Sequence, residues 1–206
     1  EVGKGLVRPA KRGHTVPIDA PGFALAPPIV RGFNAAYLRR VPERGRTVVR
    51  PIADYFFPLD KIYDWNRLYG KAGFHQFQCV VPTSARPALR DMLERIGKAA
   101  LASPLAVLKR LGPGAGHPMS FPMEGYTLAV DLPARPGADK LLSALNAATA
   151  EAGGRVYLAK DSSLTVDQAH AMYRGRADWA DAINARDPEH AYETALTKRL
   201  KLRETA

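Results

Sequence analysis

FHQFQCVVP, residues Phe74–Pro82, is the stretch that decides the fold. Phe77, Cys79 and Val81 are apolar, and Gln76 and Gln78 alternate with them. A period of two predicts a strand with one buried face and one polar face. Pro82 ends the strand, because proline has no N–H to give to a ladder. Downstream, Ser84–Leu101 places Leu89, Met92, Leu93, Ile96 and Ala100 on one helical stripe. Pro104–Leu111 reads as a second strand, and Pro118–Pro122 and Gly125–Leu132 as further strand. Gly137–Ala152 reads as a helix with Leu141, Leu142, Leu145 and Ala148 inward, and Arg155–Tyr157 as the last strand. The order β-α-β-β-α-β predicts an α+β fold of the ferredoxin-like kind: an antiparallel sheet with two helices on one face. Short helices near Val166–Tyr173, Ala177–Arg186 and Glu189–Leu202 follow. Thr165 and Gln168 have the capping-box spacing, so hydroxyl and amide each satisfy a free backbone N–H.

The alternation also defines the polar face. If Tyr126, Leu128, Val130 and Leu132 face the helices, as Ala106 and Leu108 do on the second strand, the other face carries Gln76, Gln78, Lys109 and Thr127. An amide pair, an ammonium and a hydroxyl suit a polyol or a phosphate; a sheet face wetted by solvent has the same pattern. Lys160 falls on the connection between the last strand and the helix capped by Thr165. It is solvated surface unless a polar ligand sits beside it.

Upstream of the sheet the chain changes character. Residues 1–50 hold ten Lys/Arg and three acids, so +7 of the net charge of +10 lies there. They are rich in Pro and Gly, which predicts loops with one short helix near Ile29–Leu38. Residues 51–73 are dense in aromatics and predict irregular structure with a turn or two of helix. A basic segment of this kind either stays solvated or recruits phosphate, nucleic acid or anionic lipid.

Several chemistries find no support. GPGAG (Gly112–Gly116) is followed by His117-Pro118, so it reads as a turn and not as a phosphate loop. The five histidines are scattered, and no metal spacing links them to Cys79 or to paired carboxylates, so no metal is expected. Cys79, the single cysteine, falls on the apolar face and reads as a buried structural thiol. No G-x-S-x-G elbow occurs. The open face lacks the aromatics on which an RNA-recognition module stacks bases, so no nucleic-acid partner is expected. Neither a signal peptide nor a membrane-spanning run is found in this chain.

Three stretches carry a resemblance: FFPLDKIYDWNRLYGKAGFHQFQCVVPT (Phe56–Thr83), LKRLGPGAGHPMSFPMEGYTLAVDLP (Leu108–Pro133) and GGRVYLAKDSS (Gly153–Ser163), followed by HAMY at His170–Tyr173. From about Asp54 onward the chain resembles the C-terminal half of the FAD-dependent decaprenylphosphoryl-β-D-ribose 2-oxidases, within the vanillyl-alcohol-oxidase-type flavoproteins. The resemblance implies that 53–153 is a substrate-binding α+β domain and that 154–206 is a helical segment completing an FAD-binding domain; residues 1–52, the basic Pro/Gly-rich segment, are expected as flap-like loops. It implies FAD as cofactor and oxidation of a secondary hydroxyl of a sugar, polyprenyl-phosphate-linked, as one step of an epimerisation. An aldonolactone or alditol oxidase of the same superfamily, and a binding module without flavin, are the alternatives.

By the same resemblance Gln76, Gln78, Lys109 and Thr127 line the substrate pocket, Tyr157 contacts FAD, and Lys160 is the active-site lysine. A fixed ammonium there stabilises the negative charge that a flavin takes up on reduction, and orients the substrate hydroxyl. Some family members carry a cysteine where this chain has Ala129, so thiol chemistry at that position is lost. The implied partners are an FAD-binding half or subunit, the sugar substrate and a separate reductase. The implied location is bacterial, cytoplasmic or peripheral at the membrane.

Overall fold

The alternation in β3 (Phe74–Pro82) is realised in space. In the computed structural model Phe77, Cys79 and Val81 are buried on one side of the strand, while Gln76 and Gln78 are half-buried on the other. The structure describes all residues except 1–12, 41, 43, 46, 48, 50, 53–55, 58–59, 102–104 and 205–206. The basic residues Lys4, Arg8, Lys11, Arg12, Arg46 and Arg50, and the expected strand start at Pro104, lie outside the described residues.

Two compact units divide the chain, residues 1–73 and residues 74–206. In the first, β1 (His14–Thr15) pairs in parallel with β2 (Ile62–Tyr63), a pairing that no local pattern announces. A 3-10 turn at Gly22–Leu25 leads into α1 (Pro27–Leu38), and another at Trp65–Tyr69 follows β2. Pro27 and Pro28 suit the first turn of α1, where their missing N–H groups have no partner to lose.

The second unit holds the ferredoxin-like arrangement. α2 (Arg86–Lys98) follows β3, then β4 (Ala106–Leu111), β5 (Gly125–Pro133), α3 (Ala138–Glu151) and β6 (Arg155–Val156). The sheet order is β4-β5-β3-β6 and every pairing is antiparallel. Register places Gln78 opposite Ala129 and Gln76 opposite Asp131 on β5, and Lys109 of β4 opposite Thr127. Paired residues project to the same side, so one face collects Gln76, Gln78, Thr127, Ala129, Asp131, Val107 and Lys109. The opposite face is the core. Phe77, Cys79, Val81, Leu128, Val130 and Leu132 pack there with Met92 of α2 and Leu142 and Leu145 of α3.

Three expectations need correction. The apolar side of β4 is not under the helices: Ala106 is exposed and Leu108 is 55% exposed. β4 is the sheet edge, whereas α2 and α3 pack on each other and on β3. Pro118–Pro122 is not strand but part of an extended loop, because prolines at both ends cannot donate to a ladder. Glu189–Leu202 is not one helix. The helical part is α6 (Ala195–Arg199), opened by a capping box between Thr194 and Thr197.

The chain before α6 is captured by a carboxylate instead. Asp187 accepts from the backbone N–H groups of Ala191 (2.8 Å) and Tyr192 (3.1 Å), and His190 takes a left-handed φ of 57°. α4 (Val166–Met172) carries the expected capping box, with Gln168 N–H to Thr165 Oγ1 at 3.2 Å and Thr165 N–H to Gln168 Oε1 at 3.1 Å. α5 (Arg176–Arg186) follows. Residues of this C-terminal segment join the core of the sheet: Leu164, Ala169, Met172, Tyr173, Leu200 and Leu202 belong to the same apolar cluster. Among the described residues, no helix is long and apolar enough to cross a membrane.

A buried ion pair closes the C-terminus. Arg203 donates from Nη1 to Asp187 Oδ2 (2.7 Å), from Nη2 to the Asp187 carbonyl (2.6 Å) and from Nε to Asn184 Oδ1 (2.8 Å). The Arg203 guanidinium holds the Asp187 carboxyl below the usual carboxylate range. A lowered folded-state pKa contributes stability above the unfolded carboxylate value, about 3.9, and that contribution disappears as pH falls through the folded value. Asp187→Asn is therefore expected to lower Tm at neutral pH and to flatten the loss of Tm on acidification below about pH 4. Scanning calorimetry across that range checks both.

Candidate functional site

Four of the expected site residues meet. Gln78, Lys109, Thr127 and Lys160 line one shallow cavity of about 150 Å³, together with Val107 and Ala129. The sheet supplies five of the six. Gln78 stands on the central strand β3, Thr127 and Ala129 on β5, and Val107 and Lys109 on edge strand β4. Lys160 arrives from outside the sheet, on a 3-10 turn (Leu158–Lys160) that follows β6.

That turn is held in place by the sheet and by the C-terminal helices. The Tyr157 N–H donates to the Gln78 carbonyl (2.8 Å), which extends the β6 pairing one residue toward the cavity, and the Lys160 N–H donates to the Tyr157 carbonyl (2.9 Å). Asp161 follows with its side chain only 2% exposed. Its Oδ1 accepts from the N–H groups of Ser163 (2.9 Å) and Leu164 (2.8 Å), and its Oδ2 pairs with the Arg199 guanidinium. Arg199 also donates to the Leu164 carbonyl (2.9 Å), so α6 clamps the segment that carries Lys160. Arg199→Ala leaves a buried carboxylate without its cation. The expected loss is about 2 kcal/mol, below that of a fully buried pair because the guanidinium is 38% exposed. Urea unfolding of the two proteins measures it.

The chemistry of the lining is one-sided. Two lysines, a glutamine and a threonine line it beside two apolar residues, and no carboxylate or imidazole is among the six. Gln78 Nε2 donates to Thr127 Oγ1 (3.3 Å), which fixes the amide with its oxygen free for another donor. Among the described residues, no carboxylate pairs with Lys109 or Lys160. A cavity of this kind attracts negative charge, or an oxygen on which negative charge develops.

The other two expected residues stand apart. Gln76 shares the sheet face, but its amide is engaged by buried Asp131 (3.0 Å) and it does not line the cavity. Tyr157 also stays outside the lining; its ring packs against Phe121 with centroids 4.7 Å apart. Phe121 lies in the segment expected as strand, and nothing in its local sequence marks it for the site. It belongs to the loop between β4 and β5, which folds back so closely that a side chain at Gly114 would meet the Pro122 carbonyl. Arg155 tethers this loop through the Ser120 carbonyl while stacking 5.9 Å over the Tyr173 ring. Since Arg155 pairs with Val80 on the polar side of β3, the loop covers the β6 end of that face.

Two buried acids take no part. Burial pushes the Cys79 thiol up to about 11 and the Tyr173 phenol up to about 12, and the Tyr173 hydroxyl is spent on the Val156 carbonyl (2.7 Å). Among the described residues, no group of three or more His, Cys, Asp and Glu is placed to hold a metal ion.

The chain is 37% identical over 157 residues to decaprenylphosphoryl-β-D-ribose oxidase of Mycolicibacterium smegmatis. This chain is a relative of that oxidase. The match takes in 76% of the chain and 34% of the oxidase, a share in keeping with a C-terminal portion. An uncharacterized protein from the mprA 5' region of Streptomyces coelicolor is 33% identical over 165 residues, 80% of the chain and 44% of that protein. The chain thus spans between a third and a half of the length of these two bacterial relatives. No protein-family model matches it.

Proposed function

We propose that this chain is the substrate-binding and C-terminal portion of an FAD-dependent oxidoreductase acting on a secondary hydroxyl of a polyprenyl-phosphate-linked sugar. One observation carries it: Lys109, Lys160, Gln78 and Thr127 meet in a single cavity with no carboxylate in its lining, on a chain related to decaprenylphosphoryl-β-D-ribose oxidase. The donor set fits the polar edge of a flavin ring, which takes up negative charge on reduction. When bound, the flavin supplies the acceptor for the two electrons lost by the carbinol carbon.

This chain's own residues do the rest. Lys160 places a positive charge where negative charge develops and holds the sugar hydroxyl by a hydrogen bond. Lys109 adds a second positive charge from the sheet edge. Gln78, oriented by Thr127, offers an amide oxygen to a sugar hydroxyl. Tyr157 and Phe121 form an aromatic wall next to the turn that bears Lys160. In this scheme residues 1–52 act as flaps at the substrate, 53–153 bind the sugar, and 154–206 complete the FAD-binding part. The keto-sugar product then needs a separate reductase for net epimerisation.

The test joins the chain to the FAD-binding portion of the M. smegmatis relative. Anaerobic addition of decaprenylphosphoryl-ribose is expected to bleach the visible flavin absorbance. Bound flavin that stays oxidised overturns the activity. Bleaching by a free aldonolactone, but not by the lipid-linked sugar, keeps the oxidase and overturns the substrate.

A further inference from the structure

Helix α1 presents an apolar stripe to solvent. Ile29, Phe33 and Tyr37 recur every fourth residue and are 48%, 59% and 60% exposed. That spacing aligns them along one side of the helix. The Phe33 and Tyr37 rings lie 6.1 Å apart at an interplanar angle of 23°, and the Arg40 guanidinium sits 5.6 Å from the Tyr37 ring centre. Val30, on an adjoining flank, is buried, as is Leu25 just before the helix, so α1 is attached by one flank and its aromatic stripe is free. Phe23, on the preceding turn, is exposed as well.

The charge around the stripe has one sign. From Ala20 to Arg40 the chain has Arg31, Arg39 and Arg40 and no acidic residue. A helix that is merely solvated carries polar residues on its outer side, usually of both signs. Aromatic and aliphatic side chains edged by arginine match the boundary of an anionic bilayer. There the rings enter the acyl region and the guanidinium groups meet the headgroup phosphates. The helix has 12 residues. It is about 18 Å long, too short to cross a hydrocarbon core of about 30 Å but suited to lie in its surface.

We propose that α1 is an in-plane anchor that binds the chain to an anionic lipid surface. Anchoring depends on α1 alone and holds whether or not the chain serves an oxidase. The experiment is co-sedimentation of the 206-residue chain with phosphatidylcholine vesicles, with and without phosphatidylglycerol. Binding to the anionic vesicles is expected, with a part that survives high salt because it is apolar. Phe33→Ser/Tyr37→Ser, at two exposed positions, is expected to lower the salt-resistant partition by about tenfold or more, with an unchanged circular dichroism spectrum. Arg39→Gln/Arg40→Gln is expected to reduce the preference for phosphatidylglycerol. A chain that stays in the supernatant with both vesicle types overturns the proposal. So does a Phe33→Ser/Tyr37→Ser variant that binds as well as the wild type at high salt, since the salt-resistant binding would then come from apolar residues outside this stripe.

Discussion

Lys160→Met is expected to slow sugar-dependent flavin reduction by about a hundredfold or more in the protein completed by an FAD-binding half. The magnitude is that of removing one preorganised donor from a site where negative charge develops. Position makes Lys160 the larger of the two lysine effects. Lys109 stands on an edge strand, whereas Lys160 ends a turn tied by the Tyr157 N–H to Gln78 and by Asp161 to Arg199. A backbone so anchored fixes where the side chain starts, so less freedom is lost on meeting a ligand than from a loose loop. Methionine keeps most of the length and the apolar contacts and removes only the charge, so flavin binding and Tm should stay close to wild type. Lys160→Arg separates two roles: it retains the charge but cannot accept a proton. Partial recovery in the arginine variant supports electrostatic stabilisation. Loss equal to that of methionine supports proton transfer by the amine. Undiminished reduction in Lys160→Met removes Lys160 from the site.

Ala129→Cys is expected to give the chain a fast-reacting thiol where the native protein has none. Cys79 is fully buried on the helix side of the sheet, and its thiol is pushed up to about 11. The wild type should therefore stay unmodified by iodoacetamide until it unfolds. Ala129 is on the opposite side of the same sheet, opposite Gln78 on β3 and Val107 on β4, and lines the cavity with Lys109 and Lys160. A thiol there shares the cavity with two lysines, whose positive charge favours the thiolate. Its apparent pKa should fall below the free value of about 8.5, and rise toward it as salt screens the lysines. The expected result is a single label per chain, placed on the introduced thiol by peptide mapping, with a pH midpoint below that of a free thiol. A slow reaction with a midpoint at or above the free value means that the two ammonium groups do not converge on this position.

The period-two pattern of Phe74–Pro82 and Gly125–Pro133 determined which residues lie on each face, because a strand offers two sides and water selects between them. The Thr165–Gln168 cap and the helical stripes through Met92 and Leu145 were equally local, set by hydrogen bonds and contacts within four residues. Four of the six expected site residues are readable as neighbours on this basis, Lys160 with the help of family resemblance.

Tertiary structure decided the rest. Gln76 and Gln78 are equivalent in the pattern, yet Asp131 takes one amide and leaves the other facing the cavity. Leu108 alternates as a core residue should, but its strand became the sheet edge. The loop around Phe121 covers the face from which Arg155 reaches it, 35 residues further along the chain. The pairing of His14–Thr15 with Ile62–Tyr63 joins segments far apart in sequence. In each case the deciding partner is distant along the chain, and its position is set by the sum of packing and hydrogen bonds over the whole sheet. No local period contains it.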